Sequence, residues 1–81
     1  MMTETQFFLI WGHLTPKEKE MVVLLSCFYS DGEIANLTQR SLSAVSRMKR
    51  EVYRKFSLTA EQPYLKREIV IENYRKYKGE L

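Results

Sequence analysis

A repeated helix-start pattern constrains this chain more than any other feature: a hydroxyl residue stands three positions before a glutamate or glutamine. Three instances of the pattern are Thr3–Gln6, Thr15–Glu18 and Ser30–Glu33. In such a pair the hydroxyl accepts a hydrogen bond from the backbone N–H of the later residue, whose own side chain accepts one from the N–H of the cap. Pro16 also suits the first helical position after Thr15. The pattern therefore predicts three helices that begin directly after these caps.

Two further helices complete the predicted fold. Ser41 can cap a helix over residues 42–56. A last helix is expected to begin within residues 59–63 and to end at Lys78, because Gly79 is a typical stop. No segment shows the alternation of a β-strand. The sequence therefore predicts an all-α fold, a compact four-to-five-helix bundle.

The 81 residues are expected to form one domain. Within it we expect a helix or extension over residues 1–13, a core over 14–58 and a C-terminal helix over 59–81. Gly12 is expected to stop the first helix at Trp11, and the second helix is expected to reach about Phe28.

The segment 42–56 is an amphipathic helix with one basic face. At about 100° per residue its apolar side chains gather on one side. They are Leu42, Val45, Met48, Val52, Tyr53 and Phe56. The opposite side carries Ser43, Arg47, Arg50 and Arg54, flanked by Ala44 and Ser46. Lys49 falls beside the apolar side, so we expect its amine to reach water beyond a buried stem.

Positive charge is concentrated around this helix. Residues 40–55 hold six basic side chains and one acidic, whereas residues 1–39 hold two basic and five acidic. The whole chain is only mildly basic, with a net charge of +3. A local basic segment suits a polyanionic partner, and a solvated helix face is the alternative interpretation.

The pattern of small and basic side chains suits the major groove of DNA. Small residues near the start of the helix allow close approach to a groove about as wide as a helix. Arginine can then bind guanine through paired hydrogen bonds, or bind phosphate. Backbone N–H groups at the Ser41 end can also bind a phosphate. The sequence therefore predicts double-stranded DNA as the partner.

The residues from about Leu14 to Leu58 resemble the LuxR/GerE-type helix-turn-helix domains of bacterial transcriptional regulators. The resemblance rests on spaced motifs that align without gaps. They are Leu14-Thr15-Pro16-Lys17-Glu18-Lys19-Glu20, Leu24-Leu25, Glu33-Ile34-Ala35, Ser41, Val45 and Arg54-Lys55-Phe56. Together these motifs are fairly specific, although each alone is weak.

The resemblance implies a domain whose third helix reads DNA and whose fourth often forms a dimer. The base-facing positions of the family fall on Ser46, Arg47 and Arg50. Neighbouring or backbone-contacting positions fall on Ser41, Ser43, Ala44, Arg54 and Lys55.

The chain departs from the family pattern in three places. Thr38-Gln39-Arg40 replaces the usual Leu-Gly-Ile of the turn, which costs about 1 kcal/mol if the glycine position is left-handed. Phe28 replaces a common glycine, which suggests extra packing against the first helix. Met48 replaces a common histidine and is an easy core substitute.

The last helix is a candidate dimer seam. Its apolar side chains cover more of the helix surface than one stripe. The candidates for the seam are Leu65, Ile69, Val70, Tyr74 and Tyr77. A homodimer, or a heterodimer with another regulator, would bury them. The alternative is that the segment Phe7–Trp11 covers them within one protomer.

Catalysis finds little support in the sequence. His13 is the single histidine, and there is no catalytic triad, metal-ligand spacing or phosphate loop. We expect no enzyme activity, cofactor or metal. Cys27 is the single cysteine, which fits a reducing compartment, and its apolar neighbours predict a packed side chain.

No signal peptide or membrane span is expected, so the predicted location is the cytoplasm, at the nucleoid. Two alternatives to a free-standing DNA-binding regulator stay open. One is a sigma-factor region-4-like promoter-binding domain. The other is a protein-interaction module that regulates another transcription factor through its apolar termini.

Overall fold

A computed structural model of the protein describes residues 2–58 and 63–80. Its helices are α1 (Glu4–His13), α2 (Pro16–Ser26), α3 (Asp31–Thr38), α4 (Leu42–Lys55) and α5 (Pro63–Tyr77), followed by a 3-10 turn over Lys78–Glu80. These residues contain five helices and no strand, so the prediction of an all-α bundle of four to five helices is confirmed. The last helix was expected to begin within residues 59–63, and of these residues 59–62 lie outside the described part of the chain.

The three predicted capping boxes are all present. Gln6, Glu18 and Glu33 each donate a backbone N–H to the hydroxyl of the cap at 3.2 Å. Their side chains accept the N–H of the cap at 2.8–2.9 Å. Ser41 caps α4 by accepting the N–H of Ala44 at 3.1 Å. Local hydrogen bonds of this kind explain why the helix starts follow the sequence so closely.

The C-terminal ends of the helices agree less well with the prediction than their starts do. Gly12 lies inside α1, which continues to His13, so the expected stop at Trp11 is wrong. Gly12 does not adopt the left-handed backbone of a helix stop, and Leu14 in extended backbone ends α1 instead. Helix α2 ends at Ser26, two residues before the expected Phe28.

Each helix contributes one buried stripe to a shared core. Helix α2 packs on α5 and α4, while α3 packs on α4 and α1 on α5. The most deeply buried side chains are Phe7, Met21, Val22, Leu25, Ile34, Val45, Val52 and Val70. Residues 2–13 are therefore part of the core through Phe7 rather than a separate extension.

Three loop residues that are not glycine adopt left-handed backbone. They are Phe28 (φ 64°), Gln39 (φ 55°) and Ser57 (φ 59°), and they lie just after α2, α3 and α4. After Gln39 the backbone N–H of Arg40 donates to the carbonyl oxygen of Ala35 at 2.9 Å, which closes α3. This conformation costs an L-residue about 1 kcal/mol relative to glycine. The turn thus keeps a left-handed position although its glycine is absent.

Three expectations about apolar side chains are wrong. Phe28 is 63% exposed and lies beneath Arg75 rather than against α1. Cys27 is exposed because it caps the end of α2, beyond the buried stripe of that helix. Leu42 is exposed because it is the first residue of α4, at the edge of the core.

Candidate nucleic-acid interface

The basic face predicted on α4 lies on the outside of the fold. Its exposed residues are Ser43, Ser46, Arg47, Arg50 and Arg54. Ala44 is half-buried beside them, and Ser41 is exposed at the cap. The opposite side is fixed in the core by Val45, Val52 and Tyr53. Because one side of the helix is buried in the core, the side chains on its other side face solvent.

Arg47 and Arg50 are the two unpaired cations of this face. Both are exposed, and neither forms an ion pair or hydrogen bond with any residue that the structure describes. They are three residues apart on α4, so they project from the same side. Two guanidinium groups with all their N–H donors free can bind an anionic or acceptor-rich partner without first breaking an internal contact.

Arg54 is exposed but already paired. Its Nε donates to both carboxylate oxygens of Glu51 at 3.1 and 3.2 Å, and its Nη2 also bonds Glu51. Hydrogen bonding from Arg54 lowers the pKa of Glu51, and the same bond raises the pKa of Arg54. An exposed pair of this kind contributes little stability. Arg54 is therefore a paired cation of the exposed face, unlike Arg47 and Arg50.

Lys55 does not belong to the exposed face. Its Nζ donates to Glu18 Oε1 at 2.6 Å and to the carbonyl oxygen of His13 at 3.2 Å. Only 22% of the Lys55 side chain is exposed. The structure therefore places Lys55 in a contact between the end of α4 and the start of α2, and its predicted contact with DNA stays a prediction.

Glu18 is a buried carboxylate that this contact stabilises. Burial raises its pKa, but the hydrogen bonds from Lys55 and from the Thr15 backbone N–H outweigh that effect, and the net pKa is lowered. Because the folded pKa lies below the ordinary value of 4.5, the contribution of the ionised carboxylate to stability is present above that pH. It is lost as the pH falls through the folded pKa.

We expect Glu18→Gln to lower the free energy of unfolding by about 1–2 kcal/mol at neutral pH. Glutamine keeps the capping bond to Thr15 but removes the charge that faces Lys55. The difference from the wild type should shrink as the pH falls below 4.5. Urea unfolding of both proteins across the acid range measures it. Glu33→Gln is the control, because Glu33 makes the same capping bonds in the open and these also lower its pKa. An acid-dependent difference for Glu18→Gln that is no larger than that for Glu33→Gln contradicts the ion pair.

A second ion-pair cluster joins α3 to α4 and α5. Lys49 Nζ donates to Asp31 Oδ2 at 2.7 Å, so the expectation that this amine reaches water is wrong. Arg67 of α5 lies 3.6 Å from Asp31 Oδ1 and also donates to the carbonyl oxygen of Tyr29. Burial raises the pKa of Tyr53, which lies near Asp31 and Arg67, to about 12. The cluster fixes the orientation of α4 relative to α3.

The residues predicted for a dimer seam differ in their burial in the structure. Val70 and Tyr77 are buried within the protomer, where the Tyr77 ring lies 5.3 Å from Phe7 and its hydroxyl donates to the Met2 carbonyl oxygen. Tyr74 packs on Trp11 at 5.6 Å. Helix α1 therefore covers this side of α5, as the alternative interpretation expected. Leu65 and Ile69 are half-buried.

An apolar groove was not predicted from the sequence. It has a volume of about 570 Å³ and lies between α1, the residues after α4 and α5. Its lining comprises Met2, Gln6, Leu9, Ile10, Phe56, Ser57, Leu58, Ile69, Glu72 and Asn73. Leu9, at 63% exposed, stands at its edge. No local pattern reveals such a groove, because its walls come from three separate parts of the chain.

Other kinds of site find no support in the described residues. They contain no group of three histidine, cysteine or acidic side chains that could hold a metal ion. No helix among them has the length and apolar character needed to cross a bilayer.

Comparisons of the chain with protein-family models, with curated proteins and with solved structures each gave no match. The resemblance to LuxR/GerE-type domains over residues 14–58 therefore stays a prediction. Support for a function comes from the exposed face of α4 and from the contacts that hold this helix in place.

Proposed function

We propose that this chain is a sequence-specific DNA-binding domain of a bacterial transcriptional regulator that inserts α4 into the major groove. The observation that carries the proposal is the pair Arg47 and Arg50, exposed and unpaired on one side of a helix whose other side is core. Exposed Ser43 and Ser46 on the same face leave room for close approach to base edges. This arrangement is what base reading by a helix requires.

The elements around α4 support this proposal. Helix α3 is joined to α4 by Gln39, Arg40 and Ser41, and the two helices pack on each other. Two ion pairs, Lys49–Asp31 and Lys55–Glu18, tie α4 to α3 and α2. A reading helix must be held within narrow limits, and these pairs resist its rotation. The resemblance to LuxR/GerE-type domains implies the same role for α4.

A two-fold dimer remains part of the proposal, with a smaller seam. Val70 and Tyr77 are buried within the protomer, so the seam uses the half-buried Leu65 and Ile69 of α5. Ile69 also lines the apolar groove, which gives the contact more area. Such a dimer binds two half-sites about one helical turn apart.

The decisive experiment is a selection of bound fragments from a genomic DNA library with the purified chain. We expect an enriched motif, and paired half-sites if the chain binds as a dimer. Affinity for that motif should then be measured at several salt concentrations. Four to six phosphate contacts predict a log–log slope of roughly −4 to −5. Absence of enrichment, together with a slope near zero on any duplex, contradicts the proposal.

A protein-interaction module is the second candidate, and the apolar groove beside exposed Leu9 favours it. Apolar grooves of this size accept side chains of a partner. The same selection distinguishes the two functions. If the chain is an interaction module, no DNA fragment is enriched in the selection, but the chain still binds a partner protein.

A further inference from the structure

A second cleft borders the exposed face of α4 on the side of α2. Its volume is about 350 Å³, and it is lined by Glu18, Arg40, Ala44, Arg47, Met48 and Glu51. The four lining residues of α4 lie on one side of the helix, because Arg47 and Met48 each stand three or four positions from both Ala44 and Glu51. Arg47 belongs both to this side and to the exposed face. The cleft is therefore continuous with the surface that the proposed function places in the groove.

The charges of this cleft do not cancel. Both carboxylates are already bound, Glu18 by Lys55 and Glu51 by Arg54. Arg40 and Arg47 form no ion pair with any described residue. The cleft consequently contains two guanidinium groups that no carboxylate compensates.

Arg40 is held in place without being neutralised. Its side chain is half-buried, and Nη1 lies 3.8 Å from the sulfur of Met48. A thioether is a weak acceptor, so this contact orients the guanidinium but leaves its charge and its remaining donors free. The fixed backbone of the turn after α3 further limits where Arg40 can reach.

We propose that this cleft receives a backbone phosphate of the DNA and that Arg40 is its principal ligand. The inference rests on the proposed function of α4. A helix that enters the major groove has a phosphate backbone on each flank, and a guanidinium binds phosphate oxygens through paired hydrogen bonds. Arg47 stands at the border between the phosphate and the base edges. In the LuxR/GerE pattern an isoleucine occupies the place of Arg40, so the resemblance does not imply this contact.

A phosphate ligand and a base-reading ligand differ in a measurable way. Loss of a phosphate contact lowers the affinity for all sequences alike and reduces the salt dependence. Loss of a base contact relaxes the preference for one sequence. Arg40 is assigned the first behaviour and Arg50 the second.

The test is a salt titration of the full chain on a labelled mixed-sequence duplex by fluorescence anisotropy. We expect Arg40→Gln to make the log–log slope shallower by about 0.9, the value for one phosphate. Arg75→Gln is the matched control, because it removes an exposed arginine of α5 whose guanidinium lies over the Phe28 ring after α2. Arg40→Lys keeps the charge and should keep the slope. If circular dichroism shows that Arg40→Gln is unfolded, Arg40→Met, which keeps an apolar stem beside Met48, takes its place with the same expected slope.

The outcomes separate the inference from the proposed function. An unchanged slope in folded Arg40→Gln, with weaker binding of Arg47→Ala and Arg50→Ala, overturns the phosphate site and leaves the function standing. An equal loss of slope in Arg75→Gln also overturns the site, because the effect is then one of net charge alone. If the wild type binds no duplex at low salt, both the function and the site fall.

Discussion

Replacing Arg47 or Arg50 with alanine is expected to weaken binding to the selected DNA site by about 1–3 kcal/mol each, or about 5- to 150-fold in Kd. Each side chain is exposed and has no partner to lose within the described residues, so the substitution leaves the fold intact. What disappears is a set of hydrogen bonds to base edges. The free energy of unfolding should therefore remain unchanged while the affinity falls.

The matched control for this prediction is Arg75→Ala, which removes an exposed arginine of α5 that lies over Phe28. Its affinity should equal that of the wild type. Competition with a scrambled duplex adds a second measure, because both α4 variants should lose preference for the selected site. Wild-type affinity in both Arg47→Ala and Arg50→Ala contradicts the assignment of the reading face.

Local chemistry made much of this fold predictable. The caps at Thr3, Thr15, Ser30 and Ser41 act over three residues, so a short window of sequence contains all the groups that form them. The two sides of α4 follow from helical spacing alone. For the same reason the exposed positions of Arg47, Arg50 and Arg54 agree with the prediction.

Contacts between distant residues account for what the sequence did not reveal. Lys55 meets Glu18 across 37 positions, and Lys49 meets Asp31 across 18. No spacing rule connects such pairs, so neither ion pair was predicted from the sequence. The left-handed backbone at Phe28 was equally hidden, because a bulky residue there breaks the usual preference for glycine.

The main question that the sequence left open is what α1 packs against. Its apolar run was one of two possible covers for the C-terminal helix, and the other was a second copy of the chain. In the structure Phe7 is fully buried and its ring lies 5.9 Å from Phe56 and 5.3 Å from Tyr77. Helix α1 thus connects the end of α4 with the end of α5 through one side chain.

Phe7→Ala is therefore expected to lower the free energy of unfolding by about 3–5 kcal/mol. A domain of this size has a total stability of about 5–15 kcal/mol, and each kcal/mol lost lowers Tm by about 4–8 °C. Thermal unfolding followed by circular dichroism measures the change. Leu9→Ala is the control on the same helix, because Leu9 is exposed and its loss should change stability by less than about 0.5 kcal/mol. Equal melting of the two variants would mean that α1 does not hold α4 and α5 together, and the dimer would then be the cover that α5 requires.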